Sequence, residues 1–412
     1  SWAAPATPVR DPLATSTHKR LDIQGLRAIA VVMVVAFHAG VPVPGGFVGV
    51  DVFFVISGFV ITAMLHREWV STGRIRFRQF YLKRFRRLTP ALALMVACTV
   101  VISSVVLYPF ADQENVVKTA IGAMLLAANF VISKTTGGYF GAAAEANPLL
   151  NTWSLSVEEQ FYLIFPAVLV LGWVLAKRRA RLRGAPFLLI GSIATLSFGL
   201  ALAQTLGWTF FGSEIFLGFY STFNRAWEFA AGALLAIVLT KFTISLTPRL
   251  MSAVGALGIG MLVASLWLIT GSTSFPGPWT LLPVIGTLLL LLAGTCENRV
   301  SRALSTRPMV RIGDWSYSIY LWHWPFIVFA IYLWPFSPYA AVLAAVISLA
   351  PALACYYWLE QPIRQRVTRN WIQTTKLITV VMIPPLMLAA LVGVAAKYYW
   401  QPQYLSLEKT VL

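Results

Sequence analysis

Charged residues are scarce in this chain, and their scarcity excludes a soluble globular protein. Among 412 residues, 11% are charged and 58% are hydrophobic, which is more apolar sequence than a soluble core can bury. The apolar runs are about 20 residues long, enough to cross the hydrocarbon core of a bilayer, and they lack the alternation of strands. Because unpaired backbone cannot lie in lipid, the spans must be helices. The sequence therefore predicts an all-α, polytopic integral membrane protein.

Cysteine is equally scarce. The chain has three cysteines, Cys98, Cys296 and Cys355, which lie far apart in the sequence. This spacing does not match a thiolate metal site or a disulfide framework. We therefore expect three buried structural thiols and no metal cofactor.

Acidic residues are outnumbered by basic ones, 15 to 32, which gives a net charge of +17. Such a charge would suit a nucleic-acid-binding protein, but the basic residues gather in short clusters between apolar runs, as in the cytoplasmic loops of membrane proteins. We therefore expect contact with membrane lipid and no nucleic-acid partner. The main clusters lie within residues 67–87, 177–183, 241–249, 299–311 and 364–369.

Twelve apolar runs are candidate spans, and one of them does not fit the distribution of charge. Successive basic clusters should lie on the same side of the membrane, yet three runs separate the first cluster from the second. The run over residues 116–132 is short and contains Asn129, so we interpret it as a partial or interfacial helix. About eleven crossings remain, with a cytoplasmic N-terminus and an extracytoplasmic C-terminus. Residues 1–20 lack the apolar segment of a signal peptide, and we expect a disordered cytoplasmic tail there.

The first span carries two ionisable side chains, Arg27 and His38, which are costly to place in hydrocarbon. Eleven residues make three helical turns plus about 20°, so both side chains point from one face, about 16 Å apart along the axis. On the predicted topology, Arg27 lies toward the cytoplasm and can hold a phosphate, while His38 lies toward the outer leaflet and can act as a base. The alternative is that Arg27 snorkels to the surface and His38 is a hydrogen-bonded packing residue.

Acidic and hydroxyl side chains add to this candidate site. Asp51 lies near the outer end of the second span, and Ser57 lies about two turns deeper. Glu158 and Glu159 lie just inside another span, where adjacent side chains diverge by about 100°, so at most one should face a shared cavity. The glutamate that faces the cavity is either a general acid/base or the group that orients His38. The alternative is a pair of N-terminal charges favoured by the helix dipole.

Three arginines at the entrance to the third span are candidates for binding a phosphorylated donor, although membrane topology alone explains such a cluster. They are Arg84, Arg86 and Arg87. His323 lies among aromatic residues, where it is either a cofactor-binding residue or part of an interfacial aromatic belt. Arg225 and Glu228 are three residues apart, which predicts a structural ion pair on one helix face.

Six motifs, taken together and in order, resemble those of the acyltransferase-3 family of membrane acyltransferases. They are RLDIQGLRAIAVVMVVAFHAG, GGFVGVDVFFVISGFVIT, RFRRLTP, NTWSLSVEEQFYLIFP, YSIYLWHWPF and LEQPIR. Each motif is weak by itself, but six in the family's order are highly specific. The resemblance covers about residues 20–370, and we assign residues 21–370 to this membrane domain.

The resemblance implies an enzyme of the bacterial cytoplasmic (inner) membrane with a ten-helix core. Such an enzyme takes an acyl group, for example acetyl, from cytoplasmic acyl-CoA and transfers it to a hydroxyl of an extracytoplasmic glycan or glycolipid. On the family pattern His38 is the catalytic residue and Arg27 its essential partner, while Ser57 and Glu159 fall in further motifs. We expect His38 to activate the acceptor as a base, with Arg27 and the three arginines holding the donor phosphates. Direct transfer is preferred, and the alternative is a transient acyl-enzyme with Ser57 as the relay nucleophile.

One more span, residues 375–397, follows the ten that the family shares. This arrangement resembles the larger subgroup, in which an extra helix leads to an SGNH-type domain outside the membrane. We expect residues 371–412 to form an additional span and the start of an extracytoplasmic linker. These 412 residues contain no SGNH-type domain, so it is expected either to have been removed or to be a separate polypeptide.

The main alternative is a transporter or flippase that moves an acyl carrier or a lipid-linked sugar without chemistry, since intramembrane Arg, His and Glu also occur in such proteins. The sequence shows no internal repeat of the kind that builds transporters from inverted halves. A cavity that contains His38 and opens to both faces of the membrane would favour an enzyme.

Overall fold

The computed structural model describes residues 20–136, 139–208, 218–242, 244, 246–366, 371–403 and 405. The regular elements in these ranges are helices, and no strand occurs among them. This confirms the predicted all-α fold. The predicted N-terminal tail lies outside the described residues, apart from its last residue.

Seventeen α-helices follow one another along the described ranges. They are α1 (Leu21–His38), α2 (Gly49–Thr72), α3 (Phe77–Val106), α4 (Ala111–Met124), α5 (Ala128–Thr136), α6 (Ala142–Glu145), α7 (Thr152–Arg178), α8 (Ala185–Thr205), α9 (Thr222–Lys241), α10 (Pro248–Leu268), α11 (Leu281–Ala293), α12 (Arg299–Leu304), α13 (Arg307–Leu333), α14 (Ala340–Ile347), α15 (Leu349–Cys355), α16 (Gln361–Gln365) and α17 (Trp371–Ala395). Some begin at residues typical of helix N-termini: Thr247 accepts a hydrogen bond from the Leu250 backbone before α10, and Asn298 caps α12.

Eight membrane-spanning candidates occur among the described helices, judged by length and hydropathy. They comprise α1, α2, α3, α7, α8, α10, the consecutive helices α14 to α16, and α17 with its C-terminal extension. Three further predicted spans are also helical, namely α9, α11 and α13, but these are shorter or more polar. A multi-pass membrane protein is therefore confirmed, while the count of eleven crossings and their orientation remain predictions.

The apolar run over residues 116–132 is divided between α4 and α5, which Leu126 separates with a positive φ of 58°. Neither helix is a spanning candidate in the described structure. This agrees with the prediction that the run is a partial helix.

Helix α1 lies in backbone contact with two neighbours along its N-terminal half. A Cβ atom added to Gly25 would lie 2.0 Å from the carbonyl oxygen of Leu304 in α12. A Cβ atom added to Gly313 in α13 would lie 1.9 Å from the carbonyl oxygen of Gln24. Small residues permit such close approach of membrane helices, so α1 is held firmly against both.

The three cysteines are free thiols. Cys355 is buried as predicted, but Cys98 and Cys296 are only half-buried. The prediction of burial was therefore wrong for these two, because each lies at a helix surface or in a connection that other helices cover only in part.

Candidate active site

The larger cavity near α1 has four arginines in its wall, and we call it the basic cavity. Its volume is about 560 Å³, and residues of α1, α2, α3, α7, α13 and α16 line it. The charged residues in its wall are Arg27, Arg84, Arg87, Glu158, Asp314, Glu360 and Arg364. Arg27 therefore faces this cavity.

Arg84 binds both members of the acidic pair. Its Nη2 lies 3.2 Å from Glu158 Oε1, and its Nε lies 2.8 Å from Glu159 Oε1. The guanidinium also lies 3.3 Å from the centre of the Tyr162 ring. As expected for adjacent helical residues, Glu158 lines the basic cavity and Glu159 does not. Two carboxylates already balance Arg84, and its role in holding donor phosphates stays a prediction.

Glu158 accepts two more hydrogen bonds. Ser57 Oγ donates to its Oε1 at 2.7 Å, and Tyr162 Oη donates at 2.8 Å. Glu158 and its two hydrogen-bond donors, Ser57 and Tyr162, therefore all lie in the wall of the basic cavity, away from His38. The structure does not bring either glutamate to His38, because both carboxylates of α7 bind Arg84 of α3; the alternative role as a general acid/base stays a prediction.

The other arginines of the basic cavity have a different environment. Arg27 Nη1 donates to Gln24 Oε1 at 3.2 Å, and Arg87 Nε is buried without a hydrogen-bond partner among the described residues. No described acidic side chain forms an ion pair with Arg27, Arg87 or Arg364. Arg86 does not line the cavity and instead donates to the Arg366 carbonyl at 2.9 Å, so its predicted place with the other arginines was wrong.

A second cavity of about 410 Å³ adjoins His38, and we call it the aromatic cavity. The side chains in its wall are mostly aromatic, with one carboxylate. They include Phe37, His38, Tyr139, Phe140, Glu145, Trp324 and Tyr332. His38 is the last residue of α1, so the helix ends where its imidazole meets this cavity.

His38 contacts a second histidine. Its Nδ1 lies 2.9 Å from His323 Nε2, and its Nε2 lies 3.0 Å from Tyr139 Oη. The planes of the two imidazole rings differ by 10° and their centres lie 5.1 Å apart, and the Trp324 ring centre lies 4.5 Å from that of His38. His323 is fully buried. Helix α13 places it against His38 and away from the basic cavity, and its role in cofactor binding stays a prediction.

One layer of side chains separates the two cavities. Tyr320 lines the basic cavity, and its ring centre lies 5.5 Å from that of His323, which in turn binds His38. Ser154 holds the Tyr320 hydroxyl at 2.7 Å. The structure therefore does not show a single cavity that contains His38 and opens to both faces. Arg27 and His38 share a helix but line different cavities.

Asp51 lies apart from both cavities. Arg225 Nη1 contacts Asp51 Oδ1 at 2.6 Å and Glu228 Oε1 at 3.0 Å, and all three side chains are at most 1% exposed. The predicted helical pair Arg225–Glu228 is present, and Asp51 joins it from α2. The structure does not bring Asp51 to His38. No group of three or more His, Cys, Asp or Glu side chains that could hold a metal ion occurs within the described ranges.

Comparison with known proteins provides both a family and named relatives. A family model described as an acyltransferase domain matches residues 20–360. Peptidoglycan O-acetyltransferase OatA of Listeria monocytogenes is 31% identical over 368 residues, which is 86% of this chain and 57% of that protein. The putative peptidoglycan O-acetyltransferase YrhL of Bacillus subtilis is 32% identical over 372 residues, 87% of this chain and 57% of that protein.

A third relative, O-acetyltransferase OatA of Staphylococcus aureus, is 29% identical over 358 residues, 84% of this chain and 57% of that protein. The chain thus spans little more than half the length of these relatives. No solved structure matches it significantly.

Proposed function

Because the chain belongs to the acyltransferase-3 family, we propose that it transfers an acetyl or other short acyl group from acyl-CoA to a hydroxyl of a cell-envelope glycan such as peptidoglycan. The observation that carries this proposal is the placement of two cavities along α1. One is lined by arginines and the other by His38. The names of the relatives support an acetyl group and a peptidoglycan acceptor.

The basic cavity is the proposed donor site. Acyl-CoA carries several phosphate groups, and guanidinium groups bind phosphate strongly through paired hydrogen bonds. Arg27, Arg87 and Arg364 face the cavity without a carboxylate partner among the described residues. They would hold the phosphates, while Arg84 holds Glu158 in place.

The aromatic cavity is the proposed acceptor site. Aromatic rings combine an apolar face with a polar edge, which suits the apolar faces of sugar rings. Glu145 can accept hydrogen bonds from sugar hydroxyls. The acceptor hydroxyl would then approach His38, which lies in the same wall.

His38 is the proposed general base. Its Nε2 takes the proton of the acceptor hydroxyl, the oxygen attacks the thioester carbonyl, and the carbon–sulfur bond breaks. The leaving thiolate receives the proton from His38, so the products are the O-acyl glycan and CoA. The thioester must pass the layer at Tyr320 to reach His38. Ser57 lies in the basic cavity and donates to Glu158, while His38 lines the other cavity, so a serine intermediate is not part of this proposal.

The basic loops indicate how the chain is oriented in the membrane. We infer that the chain resides in the bacterial cytoplasmic membrane, with the basic cavity toward the cytoplasm and the aromatic cavity toward the envelope. This arrangement would bring a cytoplasmic donor and an extracytoplasmic acceptor to opposite ends of α1. A separate SGNH-type domain or protein remains a proposed partner on the outer side.

Purified protein in vesicles, supplied with labelled acetyl-CoA and a peptidoglycan fragment, tests the proposal. Wild-type protein should form labelled O-acetyl ester, and His38→Ala should lose about 10²- to 10⁴-fold in rate, the contribution of a general base. His66→Ala is a matched control, since this histidine of α2 lines neither cavity. A folded His38→Ala protein with the normal rate contradicts the proposal. Movement of label across the membrane without ester formation would support a transporter instead.

A further inference from the structure

A continuous set of hydrogen bonds runs through the two neighbouring histidines, His38 and His323. His323 Nδ1 lies 3.2 Å from the carbonyl oxygen of Ile319, its Nε2 contacts His38 Nδ1, and His38 Nε2 contacts the Tyr139 hydroxyl. His323 is fully buried, and neither imidazole has a carboxylate partner among the described residues. Since an unpaired buried charge is costly, both rings are neutral.

The direction of these hydrogen bonds follows from the carbonyl at one end. The oxygen of Ile319 can only accept, so His323 Nδ1 carries the hydrogen and its Nε2 carries a lone pair. His38 Nδ1 must then donate to His323 Nε2. This leaves the lone pair of His38 on Nε2, the nitrogen that lines the aromatic cavity and accepts the Tyr139 hydrogen bond.

Tyr139 is consistent with this direction. Burial raises the pKa of its hydroxyl well above the ordinary value, so the hydroxyl stays protonated and donates to His38. Its oxygen occupies the place that an acceptor hydroxyl would need in order to give up its proton. An acceptor must therefore displace the Tyr139 hydroxyl from His38 Nε2.

We propose that His323 is a positioning residue that holds His38 in the tautomer with its lone pair on Nε2, facing the aromatic cavity. This inference rests on the proposed function, in which His38 is the base. When His38 takes a proton at Nε2, its Nδ1 hydrogen stays bound to His323 Nε2, so no second proton transfer is needed. A neutral imidazole thus serves where many enzymes use a carboxylate.

The test uses the purified full chain and two variants of His323. His323→Leu removes the acceptor for His38 Nδ1, whereas the amide oxygen of His323→Gln can replace it. Trp322→Phe is a matched control, because Trp322 is the preceding residue of α13, is buried and lines neither cavity. We expect His323→Leu to lower kcat by about 10²-fold with little change in KM for acetyl-CoA. His323→Gln and Trp322→Phe should stay within a few-fold of wild type.

Nitrogen NMR of histidine-labelled protein provides a readout that does not depend on activity. The chain has four histidines, and the His38→Ala spectrum identifies the His38 signals. Wild-type His38 should carry its hydrogen on Nδ1, and His323→Leu should shift it toward the Nε2-protonated tautomer, while His323→Gln restores the wild-type signal.

An Nε2-protonated His38 in the wild type overturns the proposal, as does equal impairment of the Leu and Gln variants. If wild-type protein forms no acyl ester, the proposed function fails, but the tautomer comparison still decides the role of His323.

Discussion

Replacing Arg87 by alanine tests whether the donor binds in the basic cavity. Arg87 faces this cavity, and its buried Nε has no partner in the described structure, so its hydrogen-bonding capacity is free for a ligand. A hydrogen bond to a charged group contributes about 1.5–3 kcal/mol, and each 1.4 kcal/mol is about tenfold in affinity. Acetyl-CoA should therefore bind roughly 10- to 150-fold more weakly to Arg87→Ala. Arg27 and Arg364 line the same wall and can partly compensate, which favours the lower end.

Titration calorimetry of the purified protein with acetyl-CoA measures this change. S-acetylpantetheine carries the same thioester without the phosphates, so its affinity should be the same for wild type and Arg87→Ala. Arg302→Ala is a control, since that side chain is 66% exposed and lies outside the cavity. Unchanged acetyl-CoA affinity in Arg87→Ala would refute the assignment of the donor site. Equal losses for both ligands would show that the substitution had collapsed the cavity instead.

Two further predictions concern stability. Arg225→Met leaves the buried carboxylates of Asp51 and Glu228 without their cation, and should lower the free energy of unfolding by about 3–5 kcal/mol. Thermal unfolding in detergent should show a lower midpoint, which neutralising Asp51→Asn and Glu228→Gln partly restores; an unchanged midpoint counts against the ion-pair account. Gly313→Ala should lower the free energy of unfolding by about 1–3 kcal/mol, because the added methyl group overpacks against the α1 backbone. Gly191→Ala, where a Cβ meets nothing within 4 Å, should unfold like wild type.

The helices were predictable because their signal is local. Apolar runs of sufficient length identified the spans, and the short apolar run that contains Asn129 identified the divided segment of α4 and α5. The cost of charge in lipid likewise singled out Arg27 and His38, and the structure places both beside internal cavities.

The partners of these residues were not predictable, because they depend on which helices pack together. Arg84 and Glu159 are 75 positions apart, and His38 and His323 are 285 apart. In a membrane, both the lipid-facing and the core-facing sides of a helix are apolar, so hydropathy does not show which face meets which neighbour. The motif around His323 contained the signal for a functional residue, but no sequence feature assigned it to His38 rather than to the arginines.

The close packing of α1 fixes the distance between Arg27 and His38 as well as the position of the helix. Backbone contacts at Gly25 and Gly313 hold the helix in place, so Arg27 and His38 stay about 16 Å apart along its axis. Under the proposed assignment of donor and acceptor sites, a donor anchored by its phosphate near Arg27 has to present its acyl carbon at His38, about 16 Å further along the helix. On this proposal acetyl phosphate, whose acyl and phosphoryl groups share one oxygen, is too short to engage both residues. The proposed function therefore implies that α1 discriminates between donors by the distance between anion and acyl group.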